Sequence, residues 1–218
     1  YLEHGSTIHG AERMRDEAGA LLSAKPEPAS YFYRGGPYST AIESVRAARA
    51  GNLGRVAVIG LGMGSLACHA TAGEDWWFFE IDPEVVRIAR DNRLFRSLSA
   101  CAPGAPVVVG DGRLTLAATE GQFDLIILDA FASDSVPVHL LTTEAVALYK
   151  SKLTDSGVLI FNISNRYMTL RGVVADVAAS NGLSLRHKVD PNDTGRFMET
   201  LRAPAEVAVA ARELPHLG

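Results

Sequence analysis

Several acidic side chains in this chain of 218 residues follow runs of apolar residues, where a carboxylate can reach a ligand. Glu80, Asp111 and Asp129 each stand at the end of such a run, and Asp134 follows on a segment too polar for a core, together with His139. A carboxylate in such a place must face water, a cation or hydrogen-bond donors, because an unpaired buried charge is costly. Carboxylates there can bind ribose hydroxyls or an amine, or accept a proton, whereas His139 is either a proton relay or a hydrogen-bonded loop histidine.

A glycine-rich turn lies between the first apolar run and a predicted helix. The segment Val56-Ala-Val-Ile-Gly60-Leu-Gly62-Met-Gly64-Ser65 predicts a buried strand, a tight turn and a helix start. Glycines let the backbone approach a ligand, and a helix N-terminus offers unpaired N–H groups. The dinucleotide fingerprint G-x-G-x-x-G would need a glycine or alanine at Ser65. The spacing found here resembles instead the G-x-G-x-G turn of S-adenosylmethionine enzymes.

Two further acidic positions complete a predicted nucleoside site. Glu80 stands 20 residues after Gly60 and can accept both ribose hydroxyl protons, as the acidic residue does in folds of this kind. Asp82 precedes a proline and either caps the next helix or contacts the ligand. Asp111, followed by Gly112, either binds the exocyclic amine of adenine or forms a simple turn.

Alternation of strand-like runs with helical patterns predicts the scaffold that positions these residues. Helical spacing covers residues 83–93 and 168–180, and Thr142 can cap a third helix. Such alternation is typical of an α/β fold with a Rossmann-like, mostly parallel sheet of about seven strands and helices on both faces. The predicted strands are residues 56–59, 76–81, 107–109, 125–128, 158–163, 183–188 and 207–210.

The first 40 residues have a different character from the rest. They are rich in Gly, Pro and Tyr and show no long helical period, which favours a small β/loop appendage or lid beside the mouth of the site. The nucleoside-binding domain is then expected to occupy residues 41–218.

Composition narrows the classes of partner and location. The net charge of −4 gives no basic footprint for nucleic acid. Cys68 and Cys101 are far apart and lack metal-ligand spacing, so we expect two reduced thiols, no metal and a cytoplasmic location.

No apolar run is long enough to cross a bilayer. Because the chain begins with Tyr1 rather than Met, a segment can precede it. We expect a homo-oligomer.

The combined motifs resemble one family. Gly-x-Gly-x-Gly, Glu-x-Asp, Gly-Asp-Gly and a strand followed by Asp129, a loop and Asp134 occur in that order. They resemble the spermidine synthase (polyamine aminopropyltransferase) family, which shares the class I S-adenosylmethionine-dependent methyltransferase fold. The run from Asp129 to Thr142 and the motif Asn162-Ile-Ser-Asn165-Arg166-Tyr167 resemble a bacterial spermidine synthase-like branch. The resemblance covers residues 4–190.

This resemblance implies a role for each candidate residue. Glu80 would hold the ribose and Asp111-Gly112 the adenine of decarboxylated S-adenosylmethionine or S-adenosylmethionine, with no metal. Asp129 would receive the nucleophile of a small amine or polyamine acceptor. Asp134 would be the second acid and Tyr38 the tyrosine on the substrate side. Some members of the branch carry a membrane-spanning portion before this domain, so membrane tethering of the full-length protein is a further expectation.

One position keeps other functions open. Met63 stands between the glycines where aminopropyltransferases of this family have Asp. A methyltransferase that uses intact S-adenosylmethionine is therefore an alternative, and a non-catalytic nucleoside-sensing domain is another.

Overall fold

The computed structural model describes residues 1–4, 7–16, 18–22, 25–130, 137–165, 168–190 and 200–217. A small antiparallel sheet opens the chain. Its strands are β1 (Leu2–His4), β2 (Thr7–Arg13) and β3 (Glu27–Ala29), in that order across the sheet. This is the predicted N-terminal β appendage.

The main sheet has the predicted seven strands. They are β4 (Arg55–Ile59), β5 (Asp75–Glu80), β6 (Val107–Val109), β7 (Phe123–Leu128), β8 (Leu153–Asn162), β9 (Ser184–Val189) and β10 (Glu206–Ala211). Their order is β6-β5-β4-β7-β8-β10-β9, and all pairs are parallel except those made by β10. The chain leaves β4 for β5 on one side and reaches β7 on the other. Ligands bind at such a switch point, outside the carboxyl ends of the strands.

In the described part of the chain, six α-helices accompany the sheet. They are α1 (Pro37–Ala48), α2 (Pro83–Arg90), α3 (Ser97–Cys101), α4 (Gly112–Ala118), α5 (Thr143–Lys152) and α6 (Arg171–Ser180). Thr142 caps α5 through its Oγ1, which accepts the Ala145 N–H at 3.2 Å, as predicted. The expected helix at 168–180 begins only at Arg171. Sequence analysis missed α1, and the boundary drawn at residue 40 falls inside it.

Alternate residues of the central strand face two core layers. Val56 and Val58 pack in one layer, which also holds Ile42 of α1. Ala57 and Ile59 face the other layer, on the side of α4, α5 and α6. Successive side chains of a strand point to opposite faces, so these layers confirm helices on both faces of the sheet.

The helix expected after the glycine turn is only a five-residue 3-10 helix, Ser65–His69. Ala70 leaves it in an extended conformation, and Gly73 then adopts a φ of +86°. The chain therefore leaves the helical conformation after five residues. The expectation of a full helix at this place was wrong.

The expectation of two reduced thiols was also wrong. Cys68 of the 3-10 helix and Cys101 at the end of α3 form a disulfide, with their Cα atoms 4.8 Å apart. A separation of 33 residues hides this pair in the sequence, because only the packing of α3 on the 3-10 helix brings the two together. Disulfides persist mainly in oxidising compartments, so this bond counts against the predicted cytoplasmic location. The location itself stays a prediction.

The N-terminal sheet packs on the elements that surround the glycine turn. The Glu12 carboxylate of β2 accepts the backbone N–H groups of Arg96 and Ser97 and the Ser97 hydroxyl, at 2.6–3.1 Å. Ser65 donates its hydroxyl to the carbonyl oxygen of Ala11 at 3.3 Å. The appendage is therefore attached to the main domain beside the glycine turn.

Among the described residues, no helix combines the length and the apolar character that crossing a membrane requires.

Candidate active site

The glycine turn requires glycine because other parts of the protein press against it. Gly60 has a φ of +100°, and a Cβ there would lie 2.5 Å from the carbonyl oxygen of Asp129. Gly62 has a φ of +54°, and a Cβ there would lie 2.7 Å from the carbonyl oxygen of His9 in β2. Both positions exclude a side chain by conformation and by space. The turn thus packs between the backbone of Asp129, which follows β7, and the N-terminal sheet.

Glu80 ends β5 and faces this turn. Its side chain is nearly buried, and Oε2 accepts the backbone N–H of Leu61 at 2.9 Å. Its Oε1 accepts the backbone N–H of Asp82 at 3.0 Å. These bonds hold the carboxylate at the carboxyl edge of the sheet, beside the turn, where the sequence predicted it.

Asp82 is a helix cap. Its Oδ1 accepts the Glu84 N–H at 2.8 Å, at the start of α2. The structure therefore supports the capping alternative for this residue.

Asp111 lies beside Glu80 because their strands are paired. Glu80 pairs with Val109 of β6, and the Gly110 N–H donates to the Glu80 carbonyl at 2.8 Å. Asp111 Oδ1 accepts the Leu114 N–H at 2.9 Å and caps α4, while Oδ2 lies 3.1 Å from Nε2 of His139. The hydrogen-bonded alternative for His139 therefore holds, and its partner is at the nucleoside end.

Small and apolar residues complete this end of the site. A Cβ at Gly112 would collide with Cγ2 of Ile59, so α4 begins tightly against β4. Ile81, Val109 and Leu114, which lie near these two acids in the chain, are 66%, 50% and 70% exposed. Three large apolar side chains near the carboxylates of Glu80 and Asp111 are therefore exposed to solvent.

Asp129 follows β7 and forms the other end of the site. Its backbone N–H donates to the Ile59 carbonyl at 2.8 Å, which fixes it next to the glycine turn. Its Oδ1 accepts the Tyr38 hydroxyl at 2.6 Å and the Asn162 Nδ2–H at 2.8 Å. Tyr31 makes a further side-chain hydrogen bond to this carboxylate. Side chains from three separate parts of the chain therefore surround one acid.

This environment brings Asp129 close to half ionisation at neutral pH. Burial raises the pKa of its carboxyl to about 7, although hydrogen bonds from Tyr38, Asn162 and Tyr31 act in the opposite direction. The negative charge of Glu80 raises this pKa further. Burial and the neighbouring Asp129 also raise the pKa of Tyr38 well above its ordinary value, so this tyrosine acts as a hydrogen-bond donor. A carboxylate with such a pKa is suited to accept a proton at neutral pH.

Two residues of this arrangement were not predicted as site residues. Asn162 is part of a motif that the sequence analysis noted, but the motif alone did not show that its amide reaches Asp129. Tyr31 stands in a Tyr-Phe-Tyr run ahead of α1, and only its proximity to Asp129 reveals its place. Asn165, from the same motif as Asn162, turns its Oδ1 back to the Met168 N–H at 2.8 Å.

Some predicted positions lie outside the described residues. Asp134 belongs to the segment 131–136, and Arg166 and Tyr167 form another such segment. The role of Asp134 as the second acid therefore stays a prediction.

Met63 lies under the N-terminal sheet. It is fully buried, and its Cγ lies 2.8 Å from where a Cβ on Gly10 would stand. An acidic residue at position 63 would therefore be buried at the same place.

Within the parts of the chain that the structure describes, no group of three or more His, Cys, Asp or Glu side chains is arranged to hold a metal ion.

The sheet order and the antiparallel β10 define the fold of the S-adenosylmethionine-dependent methyltransferases. The chain belongs to the family of the spermine/spermidine synthase domain, whose model matches residues 36–182. The polyamine aminopropyltransferase of Vibrio vulnificus (strain CMCP6) is 35% identical over 114 residues, which are 50% of this chain and 37% of that protein.

Solved structures agree on the fold. Spermidine synthase from Thermotoga maritima superimposes with a TM-score of 0.55 at 19% identity, over 78% of this chain and 58% of that one. Human methyltransferase-like protein 13, in complex with SAH, gives 0.58 at 19% identity, over 80% of each chain. This chain thus spans only 37% of the Vibrio relative and 58% of the Thermotoga chain.

Proposed function

We propose that this domain transfers an aminopropyl group from decarboxylated S-adenosylmethionine to a small amine or polyamine. The observation that carries the proposal is Asp129, a carboxyl with a pKa of about 7 at the switch point of the sheet, in a chain of the spermine/spermidine synthase family. A carboxylate with this pKa can accept a proton at neutral pH.

The proposed reaction is an in-line displacement. The lone pair of the acceptor nitrogen forms a bond to the carbon next to the sulfonium, and the carbon–sulfur bond breaks. Its electron pair stays on sulfur and leaves methylthioadenosine, a neutral thioether. The nitrogen loses one proton, which Asp129 accepts. Holding both reactants in line at the sheet edge is the larger contribution to the rate.

The donor nucleoside would bind at the other end of the site. Glu80 would take the ribose hydroxyls and Asp111 the exocyclic amine of adenine, with Gly112 allowing close approach. The adenine ring would cover the exposed apolar surface of Ile81, Val109 and Leu114. Burial of this surface would be favourable, because apolar area removed from water stabilises the complex.

The charge of the site suits two cations. Glu80, Asp111 and Asp129 stand at one edge, and Asp134 would add a further acid as an anchor for the acceptor amine. Both the sulfonium donor and a protonated amine are attracted by such a field. A homo-oligomer, an upstream membrane-spanning portion and a cytoplasmic location remain proposals for the whole protein.

Met63 favours a second candidate, a methyltransferase. Because its buried thioether side chain replaces an acid, the turn offers no carboxylate that would repel the carboxylate of intact S-adenosylmethionine.

One experiment separates these functions. The protein is incubated with decarboxylated or intact S-adenosylmethionine and a panel of di- and polyamines, and the amines are analysed by mass spectrometry. We expect the gain of an aminopropyl unit from the decarboxylated donor only, with Asp129→Asn as the inactive control. Transfer of a methyl group would overturn the proposal in favour of the methyltransferase, and nucleoside binding without any product would indicate a sensing domain.

A further inference from the structure

Asn162 lies in a constrained position at the last residue of β8. It is buried, with 6% of its surface exposed, and its strand neighbour is Val207 of β10. Its Oδ1 accepts the Ser164 N–H at 2.9 Å. Since an amide donates only through its nitrogen, this bond fixes the orientation of the side chain and leaves Nδ2 facing Asp129.

The Asn162 amide and the Tyr38 hydroxyl act on the same atom. Both donate to Oδ1 of Asp129, at 2.8 Å and 2.6 Å. A carboxylate oxygen that receives two donors from rigid elements, a strand end and a helix, has little freedom to rotate. The second carboxylate oxygen is then held in a defined direction.

We propose that Asn162 is a positioning residue that fixes the direction of the Asp129 carboxylate and keeps it ionised, and therefore able to accept the proton of the acceptor amine. This inference rests on the function proposed above and adds a residue to its machinery. Asn162 acts through Asp129, so it need not contact either substrate.

The groups that act on Asp129 determine whether loss of Asn162 raises or lowers the pKa of its carboxyl. In the described part of the chain they include Tyr31 ahead of α1, Tyr38 of α1 and Glu80 of β5. The tyrosine and asparagine donors favour the ionised carboxylate, whereas Glu80 and burial favour the neutral acid. Loss of the Asn162 donor must therefore raise the pKa of Asp129, because the balance moves toward the neutral form.

The test is a comparison of Asn162→Ala with wild type in two measurements. In a carboxyl ¹³C NMR titration, with the Asp129 signal assigned by its absence in Asp129→Asn, we expect the midpoint to rise by about one pH unit. The acidic limb of kcat/KM should move by the same amount, so that the part of the rate lost to protonation of Asp129 returns at high pH. Affinity for methylthioadenosine should stay unchanged.

Asn181→Ala is the matched control. This asparagine donates to the carbonyls of Thr143 and Val177 and precedes β9, at the opposite edge of the sheet. Its loss removes an amide with two hydrogen bonds but should move neither the Asp129 midpoint nor the pH profile. If Asn162→Ala does not fold, Asn162→Ser carries the same measurements, because its short side chain cannot reach Asp129.

An unchanged midpoint in a folded Asn162 variant, or an equal loss of rate at all pH values, would overturn the inference. The titration needs no turnover. If wild type transfers no aminopropyl group, the proposed function fails, while the NMR measurement still decides whether Asn162 controls Asp129.

Discussion

The two ends of the site hold their acids in different ways. At the nucleoside end, Glu80 and Asp111 accept backbone N–H groups that lie 2, 3 and 19 residues away in the chain. At the reacting end, Asp129 accepts side-chain donors from Tyr38 and Asn162, which are 91 and 33 residues away. The first end thus relies mainly on backbone donors, together with the His139 side chain beside Asp111, whereas the second relies on side chains that only folding brings together.

This difference indicates a division of labour. Backbone donors remain whichever side chain is substituted nearby, so the nucleoside end has a durable geometry suited to binding. A side-chain donor is removed by a single substitution, so the pKa of Asp129 at the reacting end can change with one mutation. We therefore expect substitutions at the first end to change affinity and those at the second to change rate and pH dependence.

Asp129→Asn should produce the largest effect. The amide oxygen can still accept the bonds from Tyr38 and Asn162, but the side chain can neither carry charge nor take the amine proton. We expect turnover to fall by about 100-fold or more, the usual scale for loss of a general base, with methylthioadenosine affinity nearly intact. Steady-state kinetics measures the turnover, and calorimetry measures the affinity for methylthioadenosine. Full activity in this variant would rule out the proposed mechanism.

The same variant should be more stable than wild type in alkaline solution. The carboxyl is more acidic in the unfolded chain, with a pKa of 3.8, than in the folded protein, with a pKa of about 7. Ionisation thus favours unfolding as the pH rises from 3.8 to 7, by roughly 4 kcal/mol in all. Thermal unfolding should show a larger gain for Asp129→Asn at pH 8 than at pH 5. An equal gain at both pH values would contradict the raised pKa.

Glu80→Ala tests the nucleoside end. Loss of a charged hydrogen bond to the ribose should weaken methylthioadenosine binding by roughly 1.5–3 kcal/mol, or about 10- to 100-fold, in calorimetry. At saturating donor, turnover should change much less than in Asp129→Asn. Unchanged affinity in a folded variant would show that Glu80 does not bind the ribose.

The pH dependence should separate the two ends in the wild-type protein. Because the base must be ionised, kcat/KM should fall about tenfold for each pH unit below the Asp129 pKa of about 7. Methylthioadenosine affinity should stay nearly constant over the same pH range. A parallel fall in affinity would mean that protonation acts on nucleoside binding and not on the reacting end.

The disulfide should have the smallest effect on turnover. Cys101→Ser removes the covalent link between α3 and the 3-10 helix below the glycine turn, across 33 residues of chain. We expect a loss of about 3–4 kcal/mol in unfolding free energy, read from denaturant titration, with kcat almost unchanged. Reducing agent should lower wild-type stability by a similar amount and leave Cys101→Ser unaffected. A large fall in kcat would show that the link also holds the reacting end.

The sequence by itself determined the strand pattern and the positions of the acids at the strand ends. Apolar runs and glycine turns are local signals, and each acid there follows its own strand, so residues 56–111 carried the prediction of Gly60, Glu80 and Asp111. The position of Asp129 at a strand end was readable for the same reason.

Only the tertiary structure decided how the reacting end is assembled. Tyr31 and Asn162 meet Asp129 because β8 pairs with β7 and because α1 packs on the core beside them. Cys68 meets Cys101 for a similar reason, and His9 meets Gly62 because the N-terminal sheet lies on the turn. Such contacts join residues far apart in the chain and leave no periodic pattern. The ionisation of Asp129 follows from them, since burial and distant donors together set its pKa.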